Sequence, residues 1–80
     1  MIRIPERNAS GAYLREVREG MGLGLPEAAE LIGYSAARLA VIERDGIRPG
    51  TLLSRAKRIC KGYGIGLQTL FDKATTPATD

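Results

Sequence analysis

Short runs of apolar residues recur at helical spacing along this chain, and glycines separate them. In the first run, Asn8 or Ser10 can cap a helix that continues to about Met21, with Leu14 and Val17 in its apolar stripe. The alternating glycines of the segment GMGLG then interrupt the pattern. They predict the end of this helix.

The second and third runs are separated by a very short break. Pro26 is tolerated in the first turn of a second helix, which turns Ala29 inward and ends at Gly33. A third helix is predicted from about Ser35 to Arg44, because the Ser35 hydroxyl can accept backbone N–H bonds at its start. The segment RDGIRPG after it has the composition of a turn.

Two more helices are predicted in the second half of the chain. The fourth runs from about Thr51 to Gly62, and a short fifth follows the segment GYGIG. Their expected core positions are Leu52 or Leu53, Ala56, Ile59 and Tyr63 in the fourth, and Leu67, Leu70 and Phe71 in the fifth. Residues 1–7, where Pro5 blocks an early helix, and the polar residues 73–80 are predicted to be flexible tails around a domain at 8–72.

Length and composition favour a single helical domain. Eighty residues suffice for one small core, and a chain with 44% hydrophobic but only 5% aromatic residues is expected to have an aliphatic one. No convincing alternating strand is found, so the fold class is all-α with five short helices. No signal peptide or membrane span is indicated, and a lone Cys60 cannot form an internal disulfide, so a cytoplasmic location is expected.

The basic residues are concentrated in the second half of the chain. Residues 38–61 carry seven basic and two acidic side chains, although the whole chain has a net charge of only +3. Such an asymmetry points to a polyanionic partner, with a merely solvated basic face as the alternative.

The spacing of small and apolar residues inside the second and third helices limits the number of folds that are possible. Ala29 permits close approach of the next helix, Gly33 can adopt a positive φ, and Leu39 and Ile42 return the third helix to the same core. A small residue, a glycine and two hydrophobes in this order form a moderately specific helix-turn-helix signature.

The stretch LREVREGMGLGLPEAAELIGYSAARLAVIE, residues 14–43, resembles the phage repressor and Cro family of helix-turn-helix proteins. The similarity continues less closely through IGLQTLF. The resemblance implies a lambda-repressor-like, all-α DNA-binding domain whose second and third helices form the helix-turn-helix. It further implies a dimeric transcriptional regulator that binds double-stranded DNA and is similar to the small repressors of plasmids and phages. Repression is expected because no acidic or aromatic surface suggests contact with polymerase. A homodimer on a palindromic operator is expected because one such domain reads only a few base pairs.

The third helix is, by this resemblance, the recognition helix. Its first turn carries the candidate base contacts Ala36, Ala37 and Arg38. Arginine can donate two hydrogen bonds to guanine, whereas the alanine methyl groups can meet only apolar features such as the thymine methyl. The alternatives are a phosphate contact for Arg38 and a purely space-saving role for the alanines.

Candidate phosphate contacts lie at both helix starts and after the recognition helix. They are Gly24, Leu25, Ser35, Arg44 and Arg48. Gly24 and Leu25 offer only backbone N–H groups where relatives use polar side chains. Ser35 is first of all a cap, and the two arginines could instead be solvated turn residues.

The resemblance also implies a structural ion pair between Arg18 and Glu43, which would fix the angle of the third helix. Dimerisation is expected through the apolar cluster Ile65, Leu67, Leu70 and Phe71, because four large apolar residues in seven positions exceed what a two-turn helix can bury beneath itself. The alternative is that these residues cap the core of their own subunit.

Enzymatic chemistry is not expected. The chain contains no histidine and only one cysteine, so neither a Ser-His-Asp arrangement nor a zinc site is available, and the glycine-rich segments lack the phosphate-loop pattern. No metal, cofactor, membrane or small-molecule ligand is indicated. The competing hypothesis is a helix-turn-helix protein-interaction module of the antitoxin or coactivator type.

Overall fold

The computed structural model describes residues 7–48 and 50–78. Within these ranges the chain forms five helices and no extended strand, which confirms the predicted all-α fold. The helices are α1 Ser10–Gly20, α2 Leu25–Ile32, α3 Ala36–Asp45, α4 Leu53–Tyr63 and α5 Leu67–Ala74. Most of the tail predicted at residues 1–7 lies outside the described residues.

The turn between α2 and α3 forms as the sequence predicts. Gly33 ends α2 in the left-handed conformation, with φ 75°, and the next N–H, that of Tyr34, donates to Ala29 O at 2.8 Å. Ser35 then caps α3, because its Oγ accepts the N–H of Arg38 at 3.1 Å. Two residues therefore separate the left-handed Gly33 from the first residue of α3.

The start of α1 differs from the prediction. Its N-cap is Ala9, and neither Asn8 nor Ser10 occupies that position. Asn8 Oδ1 accepts the N–H of Ser10 at 3.1 Å, while Asn8 Nδ2 donates to Ile47 O at 2.9 Å. Ser10 Oγ accepts the N–H of Ile47 at 2.9 Å. These buried side chains join the start of α1 to the loop after α3.

The predicted end of the domain at residue 72 is too early. Helix α5 continues to Ala74, which is fully buried. Beyond it, the Ala9 N–H donates to Thr76 O at 2.8 Å and the Ala78 N–H donates to Arg7 O at 3.3 Å. The stretch predicted to be a polar tail is thus hydrogen-bonded to the segment before α1 as far as residue 78.

The core is aliphatic, as expected, and draws on all five helices. Helix α1 packs on α3 and α5, α2 packs on α3 and α4, and α4 packs on α5. The largest fully buried apolar side chains are Leu14, Ile32, Leu39, Ile59 and Leu70. Cys60 is also buried as a free thiol, and burial raises its pKa.

The prediction that Leu52 or Leu53 faces the core is wrong. Leu52 is the N-cap of α4 and is 61% exposed, while Leu53 in the first turn is 50% exposed. Helix α4 approaches α2 near its other end, where a Cβ built on Gly62 would lie 2.8 Å from Ile32 Cγ2. The beginning of α4 therefore extends past the helices that cover its remainder.

Helices α1 and α3 are in backbone contact. A Cβ built on Gly11 would lie 2.6 Å from the carbonyl oxygens of both Ile42 and Glu43, so only glycine permits this approach. The contact sets the position of α3 on the body of the domain. None of the described helices is long and apolar enough to cross a membrane.

Candidate nucleic-acid interface

Helix α3 is anchored to the domain along one side only. Leu39 is fully buried and Ile42 packs partly against the core. On the other side Ala37, Arg38 and Ala40 are exposed. The helix therefore presents an open face of two methyl groups and one guanidinium at its N-terminal half.

The candidate base contacts are not equally accessible. Ala37 and Arg38 are exposed, but Ala36 is half-buried and packs against the core. Within the described residues, no side chain forms an ion pair with Arg38. Arg38 is thus the strongest hydrogen-bond donor on this face that an external acceptor can reach.

The start of α2 is less open to an anion than the sequence suggests. The N–H of Gly24 donates to Glu27 Oε1 at 3.2 Å, and Leu25 is half-buried against the core. The Glu27 carboxylate thus occupies one backbone donor and brings a negative charge to the positive end of this helix.

The C-terminal end of α3 holds a charge cluster. Arg44 Nε and Nη2 donate to the carboxylate oxygens of Asp45 at 3.1 and 3.0 Å. The hydrogen bond from Arg44 holds the pKa of Asp45 below its usual range, and the nearby Arg7 and Arg48 act in the same direction. Arg44 is therefore partly neutralised by its neighbour, whereas Arg48 is exposed and forms no described ion pair.

Arg18 and Glu43, which the family resemblance pairs, are joined by two hydrogen bonds. Arg18 Nε donates to Glu43 Oε2 at 2.7 Å and Arg18 Nη2 donates to Oε1 at 3.0 Å. The hydrogen bond to Glu43 raises the pKa of Arg18. Arg18 Nη1 also donates to Leu23 O at 2.8 Å, a contact that the sequence does not reveal. One guanidinium thus links α1, α3 and the segment that leads into α2.

Asn8 and Ser10 are positioning residues that sequence reasoning missed. Both are buried, and together they hold the backbone of Ile47, the residue before Arg48. Their only signal in the sequence is a pair of small polar residues before a helix, which is typical of a cap. The bonds to Ile47 fix where the loop after α3 leaves the domain.

The predicted dimer cluster divides in the structure. Leu70 is fully buried in the core of its own chain and has no surface left for a partner, so its assignment to an interface is wrong. Ile65, Leu67 and Phe71 are half-buried and remain accessible.

A short turn with a left-handed glycine, an α2 that packs on α3 and an α3 with one open face together define a helix-turn-helix domain. A family profile described as "Helix-turn-helix domain" matches residues 10–72. The chain belongs to this family.

Curated relatives and a solved structure agree with the assignment. The HTH-type transcriptional regulator PuuR of Escherichia coli (strain K12) is 33% identical over 69 residues, which is 86% of this chain and 36% of that protein. PuuR of Shigella flexneri matches to the same extent. The chain thus spans about a third of the length of these relatives. The crystal structure of the clp gene regulator ClgR from C. glutamicum superposes with a TM-score of 0.69 and 26% identity, covering 90% of this chain and 91% of that one.

Proposed function

We propose that this chain is a sequence-specific DNA-binding transcriptional regulator that inserts α3 into the major groove of double-stranded DNA. The observation that carries the proposal is the open N-terminal face of α3, where the exposed Arg38 stands beside Ala37. Small side chains let the helix enter the groove closely, and the arginine can then reach a base edge. The related transcriptional regulators support the same function.

Specificity is assigned to the first turn of α3. Arg38 donates a bidentate pair to a guanine, which is worth about 1–3 kcal/mol of discrimination. Ala37 and the accessible part of Ala36 contact thymine methyl groups. The Arg18 ion pair with Glu43 holds the helix at the angle that this docking requires.

Contacts to the DNA backbone come from both sides of the recognition helix. Arg48 is the main contributor, because it is exposed and carries no described ion pair. Arg44 joins it once its bond to Asp45 is exchanged for a phosphate. Backbone N–H groups at Leu25 and Ser35 add weaker contacts at the two helix starts, and that of Gly24 joins them once its bond to Glu27 is exchanged for a phosphate.

The regulator acts as a homodimer on an inverted repeat. One domain of this size reads only a few base pairs, and two copies related by a two-fold axis read enough to single out an operator. The accessible apolar residues Ile65, Leu67 and Phe71 supply the contact between copies. Such a dimer represses, in the cytoplasm, by occupying its operator.

Selection of bound sites from a random duplex library tests this function. We expect an enriched inverted repeat with half-sites about 34–36 Å apart, or one helical turn. Binding to that site should weaken steeply with salt, by about 0.9 log unit per log unit of salt for each phosphate contacted. Selection that enriches no sequence, or binding indifferent to salt, would count against the proposal.

A protein-interaction module is the second candidate. The exposed leucines Leu31, Leu52 and Leu53 favour it, because large apolar side chains on a surface are typical of protein contacts. The salt titration separates the two functions. A protein contact made through leucines changes little with ionic strength, whereas a phosphate contact loses affinity.

A further inference from the structure

A cleft opens between the inner edge of α3 and the beginning of α4. Its volume is about 540 Å³, within the range of small-molecule sites in proteins. Ile47 and Ile59, both buried, line it together with the half-buried Val41. The sequence indicates no such site, because these residues come from separate elements that meet only in the fold.

Three arginines line the same cleft. Arg38 belongs to α3, Arg48 to the loop after it, and Arg55 to α4. None of the described lining residues is acidic, and no ion pair within the described ranges engages these three guanidinium groups. Asp45 interacts electrostatically with Arg48, but its carboxylate is hydrogen-bonded to Arg44. The cleft therefore combines apolar walls with uncompensated positive charge.

We propose that this cleft binds a small organic anion, of which a carboxylate on an apolar ring is the simplest form. Guanidinium groups match a carboxylate through paired, charge-assisted hydrogen bonds. An apolar body of ring size covers the exposed Leu52 and the half-buried Val41 of the lining, which a free inorganic ion would leave in contact with water.

The position of the cleft gives such a ligand a regulatory role, which rests on the proposed function. Arg38 and Arg48 are also the groups assigned to a base edge and to the DNA backbone. An anion held by them withdraws both from DNA, so ligand and DNA exclude one another by a reciprocal coupling. Arg55 and the apolar walls belong to the cleft alone.

The experiment is an NMR titration of the protein with 1-naphthoate, using neutral 1-naphthamide as the matched ring without charge. We expect naphthoate to shift the backbone signals of Ile47 and Ile59 in a saturable manner, and naphthamide to bind roughly tenfold more weakly or not at all. Arg55→Gln should weaken naphthoate binding by about five- to tenfold. Lys57→Gln removes the same charge from an exposed position on α4 outside the cleft and should leave binding unchanged.

Equal binding of naphthoate and naphthamide would overturn the proposal, because it would reveal an apolar groove without anion recognition. Equal effects of the Arg55 and Lys57 variants would overturn it as well.

In a second arm, naphthoate should displace a fluorescent duplex from the parent protein, and Arg55→Gln should raise the concentration required. If the same naphthoate concentration displaced the duplex from the parent protein and from Arg55→Gln, the regulatory role would be contradicted. If the protein bound no duplex at all, the proposed function would be refuted, but the naphthoate titration would still test anion binding in the cleft.

Discussion

At Arg38 the side chain is exposed, while the backbone N–H is held by Ser35 Oγ at 3.1 Å. Its role in recognition can therefore be separated from its role in the helix. We predict that Arg38→Ala leaves the unfolding temperature almost unchanged and lowers affinity for the selected operator by roughly 5- to 150-fold, the equivalent of about 1–3 kcal/mol. Thermal unfolding followed by circular dichroism measures the first effect, and fluorescence anisotropy with operator and scrambled duplexes measures the second.

Arg15→Ala is the matched control for this variant. Arg15 is exposed on α1 and, among the described residues, pairs with Glu19 in the next turn, so its removal takes away the same charge from a different helix. If Arg38→Ala weakened operator and scrambled DNA equally, the side chain would be a phosphate contact and not a base reader.

Asp45 acts on the same interface with the opposite sign. Its carboxylate is held between Arg44, with Nε at 3.1 Å from Oδ1, and Arg7, with Nε at 3.7 Å from Oδ1. We predict that Asp45→Asn raises DNA affinity at low salt by about two- to tenfold, because Arg44 is released and a negative charge near the phosphates is removed. The gain should shrink as salt is added.

Glu16→Gln serves as the reference for that measurement. It removes one negative charge from an exposed position on α1, so it reports the effect of net charge alone. If Glu16→Gln raised the affinity as much as Asp45→Asn does, the effect of Asp45 would come from net charge and not from its bond to Arg44.

Among the elements, the contact between α1 and α3 depends most on one residue. We predict that Gly11→Ala lowers the free energy of unfolding by about 1–3 kcal/mol, because the new Cβ would meet two backbone carbonyls at 2.6 Å and force the helices apart. Gly20→Ala in the same helix meets nothing within 4 Å and should leave stability unchanged or raise it by up to about 1 kcal/mol. Urea denaturation of both variants measures the difference. Equal stabilities would refute the close approach.

The sequence predicts the features that depend on neighbouring residues, and it misses those that depend on residues far away in the chain. The roles of Gly33 and Ser35 are predicted correctly, because a left-handed helix end and an N-cap depend on a few neighbouring residues. Asn8 accepts the N–H of Ser10 at the start of α1, but its second bond, to Ile47 O, is not predicted because Ile47 is 39 residues away. Leu52 fits a helical stripe, but periodicity does not say which end of a helix its neighbours cover.

The same limit applies to the site. The family resemblance and the residue types were enough to pair Arg18 with Glu43 and to select Arg38 as a candidate base contact. They could not reveal that Arg44 would be bonded to Asp45, because adjacent side chains on a helix meet only in particular rotamers. Nor could they reveal the burial of Leu70, which depends on how α5 lies against α1 and α4.

At the scale of the whole molecule, the proposed dimer depends on the accessible apolar residues of α5. We predict that Leu67→Asp shifts the protein toward monomer in sedimentation velocity and weakens operator binding far more than nonspecific binding, because a charge is brought into the apolar contact between copies. Phe71→Ala should act in the same direction with a smaller effect. Gln68→Asp, an exposed substitution in the same helix, is the control. A parent protein that is monomeric and still protects a single half-site would refute the dimer.

The hydrogen bonds between Arg7, Ala9 and the residues after α5 bring the two ends of the described chain side by side. A short linker could therefore join these two ends, and the chain could be opened in a loop elsewhere without loss of the helix contacts. A circular permutant that joins Ala78 to Arg7 through a few glycines and opens between Gly64 and Ile65 should keep the fold, with stability within about 2 kcal/mol of the parent. Circular dichroism and urea unfolding would test this, and an unfolded permutant would mean that the order of synthesis, and not only the final contacts, shapes the domain.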